Sequence, residues 1–300
     1  MNLQIEKRAL KSHVAHEKHM INLINEKDKR LFLLKNKDCV GYFLNTRTLE
    51  ILNPILKVKN TWLTIGDYNG FEAKYFQEHN QSVIASDISD VFLKEAKAEN
   101  LIEKYRKENA EQISLPEDSI DYVSCREAFH HFPRAYLAVY EMIRVAKKGV
   151  IIIEPIDILS KLPLFLLIKN ITDLINPLLI NKIWKNRFSW ETVGNYVFKI
   201  SEREVEKIAM GIGLPCIAFK EINILHTVKE DTQTVPTNRK LLRKLKLKLK
   251  LLDLLCVFRI IPYNTLCSVI FKEMPNDELL KDLKKIGYKI IKLPPNPYLK

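Results

Sequence analysis

The hydrophobic positions between residues 61 and 154 form short apolar runs separated by longer amphipathic segments. Four runs are apolar enough to be buried strands: TWLTI, SVIASD, IDYVSC and GVIIIE, at residues 61–65, 82–87, 120–125 and 149–154. Between the runs lie segments whose apolar residues recur at helical spacing, at residues 71–80, 91–105 and 134–146. Parallel strands covered on both faces by crossover helices have this pattern. The sequence therefore predicts an α/β fold with a doubly wound, Rossmann-like sheet.

The beginning of the chain predicts a separate helical unit. Residues 1–60 are polar with apolar positions at helical spacing, and they contain one strand candidate, CVGYFL, at residues 39–44. We assign residues 1–60 to an N-terminal helical cap and residues 61–300 to the main domain.

After residue 154 the regular alternation ends and two insertions are predicted. Residues 155–200 are apolar and aromatic, with Trp184, Trp190, Tyr196 and Phe198, and are assigned to a lid. A capping box of Ser201 and Glu204 begins a further helix. Residues 215–225 and 264–274 predict two late strands, with a basic insertion at 226–263 between them.

Composition and charge exclude several classes of protein. With 47% hydrophobic and 28% charged residues the chain can bury a sizeable core. The net charge is +12, and residues 226–263 alone supply +6 of it, which is unlike the spread basic surface of a general nucleic-acid binder. The five cysteines are scattered, and no apolar run suits a secretory signal or a membrane span. These features predict a cytoplasmic protein with free thiols.

Three histidines of the cap recur at every third position. His13, His16 and His19 could suggest a metal site, but steps of three drift around a helix and no carboxylate or cysteine clearly completes a ligand set. We predict a solvated helix face and no metal.

The ends of the first two strands carry the chemistry of a nucleoside site. Strand one runs into Gly66-Asp67-Tyr68-Asn69-Gly70, and Asp87 ends strand two, 21 residues after Gly66. A carboxylate at this spacing can accept hydrogen bonds from ribose hydroxyls. Tyr68 stands where a pyrophosphate loop has glycine, and Asp67 adds negative charge. Both features disfavour a dinucleotide and favour S-adenosylmethionine, which has no phosphate and carries a cationic sulfonium.

On these motifs the chain resembles the class I S-adenosylmethionine-dependent methyltransferases over residues 60–225 and 264–274. Gly66 to Gly70 resembles the family's G-x-G-x-G loop, VIASDIS its ribose-binding acid, ENAEQISLPEDSIDYV its adenine loop and FHHFP its post-strand signature. The resemblance implies a seven-stranded sheet whose last strand is antiparallel. Two departures stand out: Thr64 replaces the usual strand-one acid, for which we expect Asp67 to substitute, and Tyr68 replaces glycine.

The resemblance and the residue chemistry together predict a set of cofactor contacts. These are Gly66, Asp67, Tyr68, Gly70, Asp87, Ile88, Asn109, Ala110, Glu111 and Arg126.

Methyl transfer requires positioning of the acceptor and removal of its proton. His130 and His131 are the base candidates, and Glu154 could orient His130 or replace it. Adjacent residues project differently, so we expect only one histidine to face the site, and we favour His130. Packing beside the cofactor is the alternative role for the pair. Arg126 and Glu127 could hold the methionine end or the substrate, or form a surface ion pair.

The segment RKLLRKLKLKLKLLDLL, at residues 239–255, places leucines on one helical face and lysines on another. This pattern suits a helix at an anionic membrane surface, and equally an amphipathic helix packed on the domain. We therefore expect a small-molecule acceptor, or a lipid-linked or nucleotide-linked sugar in surface polysaccharide synthesis, and no nucleic acid.

The predicted function is an S-adenosylmethionine-dependent O-methyltransferase. The alternative is a catalytically silent methyltransferase-like scaffold or cofactor-binding protein, and a nicotinamide-dependent reductase is a more distant one.

Overall fold

The fold was analysed in a computed structural model that describes residues 2–176, 178–183, 189–190, 195–225 and 239–298. The predicted lid residue Trp184 and positions 226–238 of the basic insertion lie outside the described residues. The proposed division into residues 1–60 and 61–300 stays a prediction.

Within the described residues, eight strands form one sheet in the order β3-β2-β1-β4-β5-β7-β6-β8. The strands are β1 Thr61–Ile65, β2 Ser82–Asp87, β3 Tyr105–Lys107, β4 Ile120–Arg126, β5 Ala146–Pro155, β6 Cys216–Ile222, β7 Thr265–Phe271 and β8 Lys289–Lys292. Strands β1 to β5 pair in parallel, whereas β7 is antiparallel to both β5 and β6. The predicted sheet and its antiparallel late strand are therefore confirmed, and β8 adds an eighth strand, antiparallel to β6.

Helices cover both faces of the sheet. They are α1 Asn2–Asn22, α2 Lys27–Lys35, α3 Val40–Leu49, α4 Asn53–Leu56, α5 Phe71–Glu78, α6 Val91–Ala98, α7 Ala135–Val145, α8 Pro163–Ile175, α9 Ile180–Ile183, α10 Glu202–Gly211, α11 Arg239–Val257 and α12 Asp277–Lys285. No helix in the described part of the chain is long and apolar enough to span a membrane.

Alternating side chains along the strands divide the core into two layers. In β5, Ile151 and Ile153 join the layer under α2, α5 and α6, whereas Val150 and Ile152 join the layer under α7 and α10. All four side chains are completely buried. Two buried layers explain why the central strands read as continuous apolar runs rather than as an alternating pattern.

Two local predictions were wrong. CVGYFL is not a strand but the start of α3, where the Cys39 sulfur accepts a hydrogen bond from the Tyr42 amide and Val40 and Leu44 are buried one turn apart. The predicted helix 91–105 ends at Ala98, because Asn100 adopts a left-handed conformation, φ 56°, and the chain turns into β3. The capping box of Ser201 and Glu204 is present as predicted.

Gly70 precedes α5 in a left-handed conformation, φ +83°, that disfavours other residues. A Cβ atom there would lie 2.9 Å from Ile102 Cγ2. Gly211, in α10, is a matched control, since a Cβ atom there would meet nothing within 4 Å.

We expect Gly70→Ala to lower the free energy of unfolding by about 1–3 kcal/mol, because it adds backbone strain and a clash. Gly211→Ala should raise it by about 0.5–1 kcal/mol through helix propensity. Urea unfolding followed by circular dichroism measures both, and equal effects of the two substitutions would contradict this account of the turn.

Candidate active site

The turn after β1 brings the ends of β1 and β4 into close contact. A Cβ atom on Gly66, φ +69°, would lie 2.3 Å from Ala128 Cβ, so the turn accepts only glycine. Tyr68 is also left-handed, with φ 34°, and its amide donates to Asp87 Oδ2 at 3.1 Å. The chain thus keeps at Tyr68 the kind of backbone that glycine adopts easily, while the tyrosine ring packs against Phe92 with centroids 5.0 Å apart.

A cavity of about 420 Å³ lies at this end of the sheet. Its volume is in the range of small-molecule sites. Six of the ten predicted cofactor contacts line it, namely Gly66, Tyr68, Asp87, Ile88, Asn109 and Ala110. Three acidic residues, Asp87, Glu108 and Glu127, line it against one arginine, Arg30, whose guanidinium pairs with Glu26 at 2.8 Å. The cavity therefore suits a ligand that carries hydroxyl groups and positive charge, and it disfavours a diphosphate.

Asp87 is held in place by the backbone around it. Its Oδ1 accepts from the Ser89 amide at 2.9 Å and its Oδ2 from Tyr68, and the residue is buried. Burial raises the pKa of Asp87 to about 6, although these backbone hydrogen bonds act in the opposite direction. The group is therefore ionised at neutral pH and can accept hydrogen bonds from a ribose.

Glu108 is a cavity residue that the sequence analysis missed. Its carboxylate accepts from the Ser114 amide at 2.9 Å and from Arg106 Nε at 2.8 Å. Burial alone would raise the pKa of Glu108, but the bonds from Ser114 and Arg106 outweigh it and lower the pKa. Glu108 directly follows β3, a strand that the sequence analysis did not predict, so its position at a strand end was not visible.

Helix α1 forms a roof over the cavity. His13, His16 and His19 all line it, together with Met20. His13 Nε2 lies 3.6 Å from Glu111 Oε2, and the His16 ring centroid lies 5.5 Å from that of His131. The prediction of a solvated histidine face was therefore wrong for His13 and His16, which become half-buried where α1 packs on the sheet end, whereas His19 is exposed.

Asp67 is placed differently from the prediction. Its carboxylate accepts from the amides of Glu72 and Ala73, at 3.0 and 2.8 Å, and so caps α5. Thr64 Oγ1 donates to it at 2.9 Å, and burial raises its pKa to about 6. Asp67 and Thr64 thus form one internal hydrogen bond, and Asp67 is not among the described residues that line the cavity. The expectation that it offers a carboxylate to the cofactor is corrected.

Three further predicted contacts lie behind the cavity wall. Gly70 packs on Ile102, as described above. Glu111 accepts from Arg134 Nε at 2.7 Å. Arg126 donates to Asn45 Oδ1 at 2.9 Å and lies 3.7 Å from both Glu72 and Glu127 carboxylates. These residues support the site without lining it.

Glu154 holds the turn that follows β4. Its completely buried carboxylate accepts from the amides of Ala128 and Phe129, each at 2.7 Å, and lies 2.7 Å from His130 Nδ1. Burial raises the pKa of Glu154, and the His130 contact opposes the shift. A carboxylate accepts hydrogen bonds, so this pairing places the ring proton on Nδ1 and leaves Nε2 as the basic nitrogen.

A second cavity, of about 470 Å³, lies on the other side of this turn. It is lined by Glu127, His130, Pro155, Ile156, Ile158, Lys199 and Asn264. His131 instead lines the first cavity, although the rings of the two adjacent histidines lie side by side with centroids 4.2 Å apart. Glu127, left-handed with φ 51°, lines both cavities and marks where they meet. A cofactor in the first cavity and an acceptor in the second would approach each other there.

None of the described lid aromatics Trp190, Tyr196 and Phe198 lines either cavity, and Phe198 packs on the turn. Phe198 contacts Phe129 and Tyr136, with ring centroids 6.1 Å apart in each pair. Asn195 Nδ2 donates to the His130 carbonyl at 2.9 Å. The lid therefore fixes the turn that carries His130 and His131. Its residues Ile156, Ile158 and Lys199 line the second cavity.

Comparison with known proteins agrees with this architecture. Residues 63–153 match the family model described as "Methyltransferase domain". The chain is also 33% identical over 93 residues to the uncharacterized methyltransferase YcgJ of Bacillus subtilis (strain 168). That match covers 29% of this chain and 36% of the relative, so it spans about a third of the relative's length.

Two solved structures are among those that the comparison found. Magnesium protoporphyrin IX methyltransferase from Synechocystis PCC 6803, determined with bound SAH, has a TM-score of 0.49 at 13% identity, covering 86% of this chain and 99% of that one. A putative methyltransferase from Bacillus halodurans C-125 has a TM-score of 0.46 at 18% identity, covering 76% and 100%. Residues 63–153 of this chain are therefore similar to a methyltransferase domain.

Proposed function

We propose that this protein transfers the methyl group of S-adenosylmethionine to a hydroxyl of a small molecule or glycan. The observation that carries the proposal is the cavity whose wall holds three carboxylates, Asp87, Glu108 and Glu127, beside the glycine turn of β1. Hydroxyl groups and cationic centres are the groups that such a wall binds, and S-adenosylmethionine has both. When bound, this cofactor supplies a methyl group on a positively charged sulfur.

The retained backbone at Tyr68 supports an active enzyme over the silent scaffold. Tyr68 keeps a left-handed conformation and its amide bond to Asp87, and its ring packs on Phe92 while the cavity stays about 420 Å³ in volume. Losing the middle glycine of the loop has therefore not filled the cavity.

His130 is the base in this proposal. Its Nε2 would take the acceptor's proton while the buried carboxylate of Glu154 stabilises the charged ring. The acceptor would lie in the second cavity, where Lys199 and Asn264 add polar groups beside Glu127 and His130. A sugar hydroxyl, as in surface polysaccharide synthesis, is the acceptor that we propose.

The cofactor assignment is tested by Asp87→Asn. We expect the substitution to weaken S-adenosylmethionine binding about 10–100-fold in isothermal titration calorimetry, because a hydrogen bond to a charged group is lost. Because the pKa of Asp87 is raised to about 6, wild-type affinity should also fall as the pH drops below that value, and the variant should lose this dependence.

Asp90→Asn is the matched control, since Asp90 pairs with Lys94 at 3.1 Å and is not among the described residues lining the cavity. If wild-type protein bound nicotinamide dinucleotide but not S-adenosylmethionine, the proposed function would be wrong.

The base assignment is tested by His130→Gln. We expect transfer of tritiated methyl to a hydroxyl acceptor, selected from a sugar panel, to slow about 10²–10⁴-fold, as loss of a general base does. Cofactor affinity should stay within a factor of about two, because His130 lines the acceptor cavity. His79→Gln, at a histidine bonded to the Tyr75 carbonyl, controls for general effects. Equal activity of the two variants would contradict the assignment.

A further inference from the structure

Helix α8 exposes an apolar face that no described part of the chain covers. Its large apolar side chains recur at helical spacing on one side, and Leu174 is 88% exposed. The exposed members of this face are Leu164, Leu167, Ile171, Leu174 and Ile175, and Leu178 follows them. The charged pair of α8, Lys169 and Asp173, lies on the opposite side of the helix and is half-buried. A surface helix normally turns its apolar side toward the protein core, and α8 turns its apolar side toward water.

Helix α11 has two apolar faces. The leucine face predicted from the sequence packs on the protein: Leu249 is buried with Val40 and Leu44, and Leu245 packs against them. For that face, the predicted alternative of an amphipathic helix packed on the domain is therefore correct. A second stripe, spaced by four, three and four residues, remains exposed and consists of Leu247, Leu251, Leu254 and Phe258.

Positive charge surrounds this second stripe. Residues 239–260 contain eight Lys or Arg residues and one acid, Asp253. Asp253 is bound by Arg47 at 2.7 Å, so it neutralises a charge outside this segment. Seven of the eight cations lie at positions 239–250 and all seven are exposed. An exposed apolar stripe bordered by lysines is the pattern of helices that lie in a membrane interface.

The two exposed faces meet at one end. A single surface cleft is lined by Leu162 and Pro163, at the start of α8, and by Val257 and Arg259, at the end of α11. Val257, Phe258 and Ile260 each expose about two thirds of their surface beside this cleft. The apolar surfaces of the two helices therefore adjoin.

We propose that α8 and the exposed stripe of α11 bind the protein to an anionic phospholipid surface. Charge distinguishes between two possible partners of this surface, a second copy of the chain and an anionic membrane. A second copy would bring its own cationic helix to the interface, whereas anionic headgroups would neutralise the cationic helix. Leucines and a phenylalanine then enter the headgroup region, where lysines at their edges contact phosphate.

The same placement indicates how the acceptor arrives, a step that rests on the proposed function. Ile156 and Ile158 line the second cavity, and α8 begins five residues later, at Pro163. A hydroxyl acceptor carried on a lipid would therefore reach His130 from the bound surface. Tritiated methyl should then appear in the organic phase of an extraction rather than in the aqueous phase.

Vesicle flotation with the full chain tests the surface. Wild-type protein should float with phosphatidylcholine vesicles that contain phosphatidylglycerol, and at least tenfold less with phosphatidylcholine alone or in high salt. The double substitution Leu174→Glu with Leu251→Glu should reduce binding to the anionic vesicles at least tenfold. Leu137→Glu with Met210→Glu, at exposed apolar positions on α7 and α10, should leave it unchanged.

The controls separate this proposal from the proposed function. The Leu174→Glu, Leu251→Glu variant should keep the wild-type melting temperature and S-adenosylmethionine affinity, since neither residue lines the cofactor cavity. Equal flotation of both double variants, equal binding to neutral vesicles, or a dimer in light scattering that dissociates in the variant without any vesicle binding would each overturn the lipid surface. Failure of cofactor binding would overturn the proposed function alone.

Discussion

The buried carboxylate of Glu154 fixes the position of every group at the meeting point of the two cavities. It accepts hydrogen bonds from two consecutive amides, of Ala128 and Phe129, and holds the His130 ring, all at 2.7 Å. A buried carboxylate without such partners would be costly, so the turn and the carboxylate stabilise each other. Because this turn is fixed, the rings of His130 and His131 lie side by side where the two cavities meet, with centroids 4.2 Å apart, and each residue lines a different cavity.

A second constraint lies in the close approach of β1 and β4. Ala128 belongs to the turn that Glu154 holds, and it leaves no room for a Cβ atom on Gly66. The loop from Gly66 to Gly70 and the turn that carries His130 and His131 therefore pack together as one unit. Tyr68 fits into it because the ring packs on Phe92 while its amide binds Asp87, so the site keeps the geometry of the loop with a different residue.

The sequence was sufficient for the central strands of the sheet and for part of the site. Strong apolar runs predicted β1, β2, β4 and β5, and strand ends predicted Asp87 and His130 at the site. Strand β3 was missed because its three residues, YRK, carry no apolar pattern and follow a helix with a left-handed end at Asn100.

The remaining errors concern contacts between residues far apart in the chain. The histidines of α1 line the cavity because the helix packs across the sheet end, and Asp67 turns inward because the α5 amides and the Thr64 hydroxyl donate hydrogen bonds to its carboxylate there. Neither orientation follows from local spacing. The outward apolar face of α8 is visible only once the neighbours of each leucine are known.

The most direct measurement is a crystal structure of the protein with S-adenosylhomocysteine. The account predicts that the ribose binds Asp87, that the product lies under the histidines of α1, and that its sulfur faces Glu127 where the two cavities meet. A product bound elsewhere, or bound with its sulfur directed away from Glu127 and His130, would contradict it.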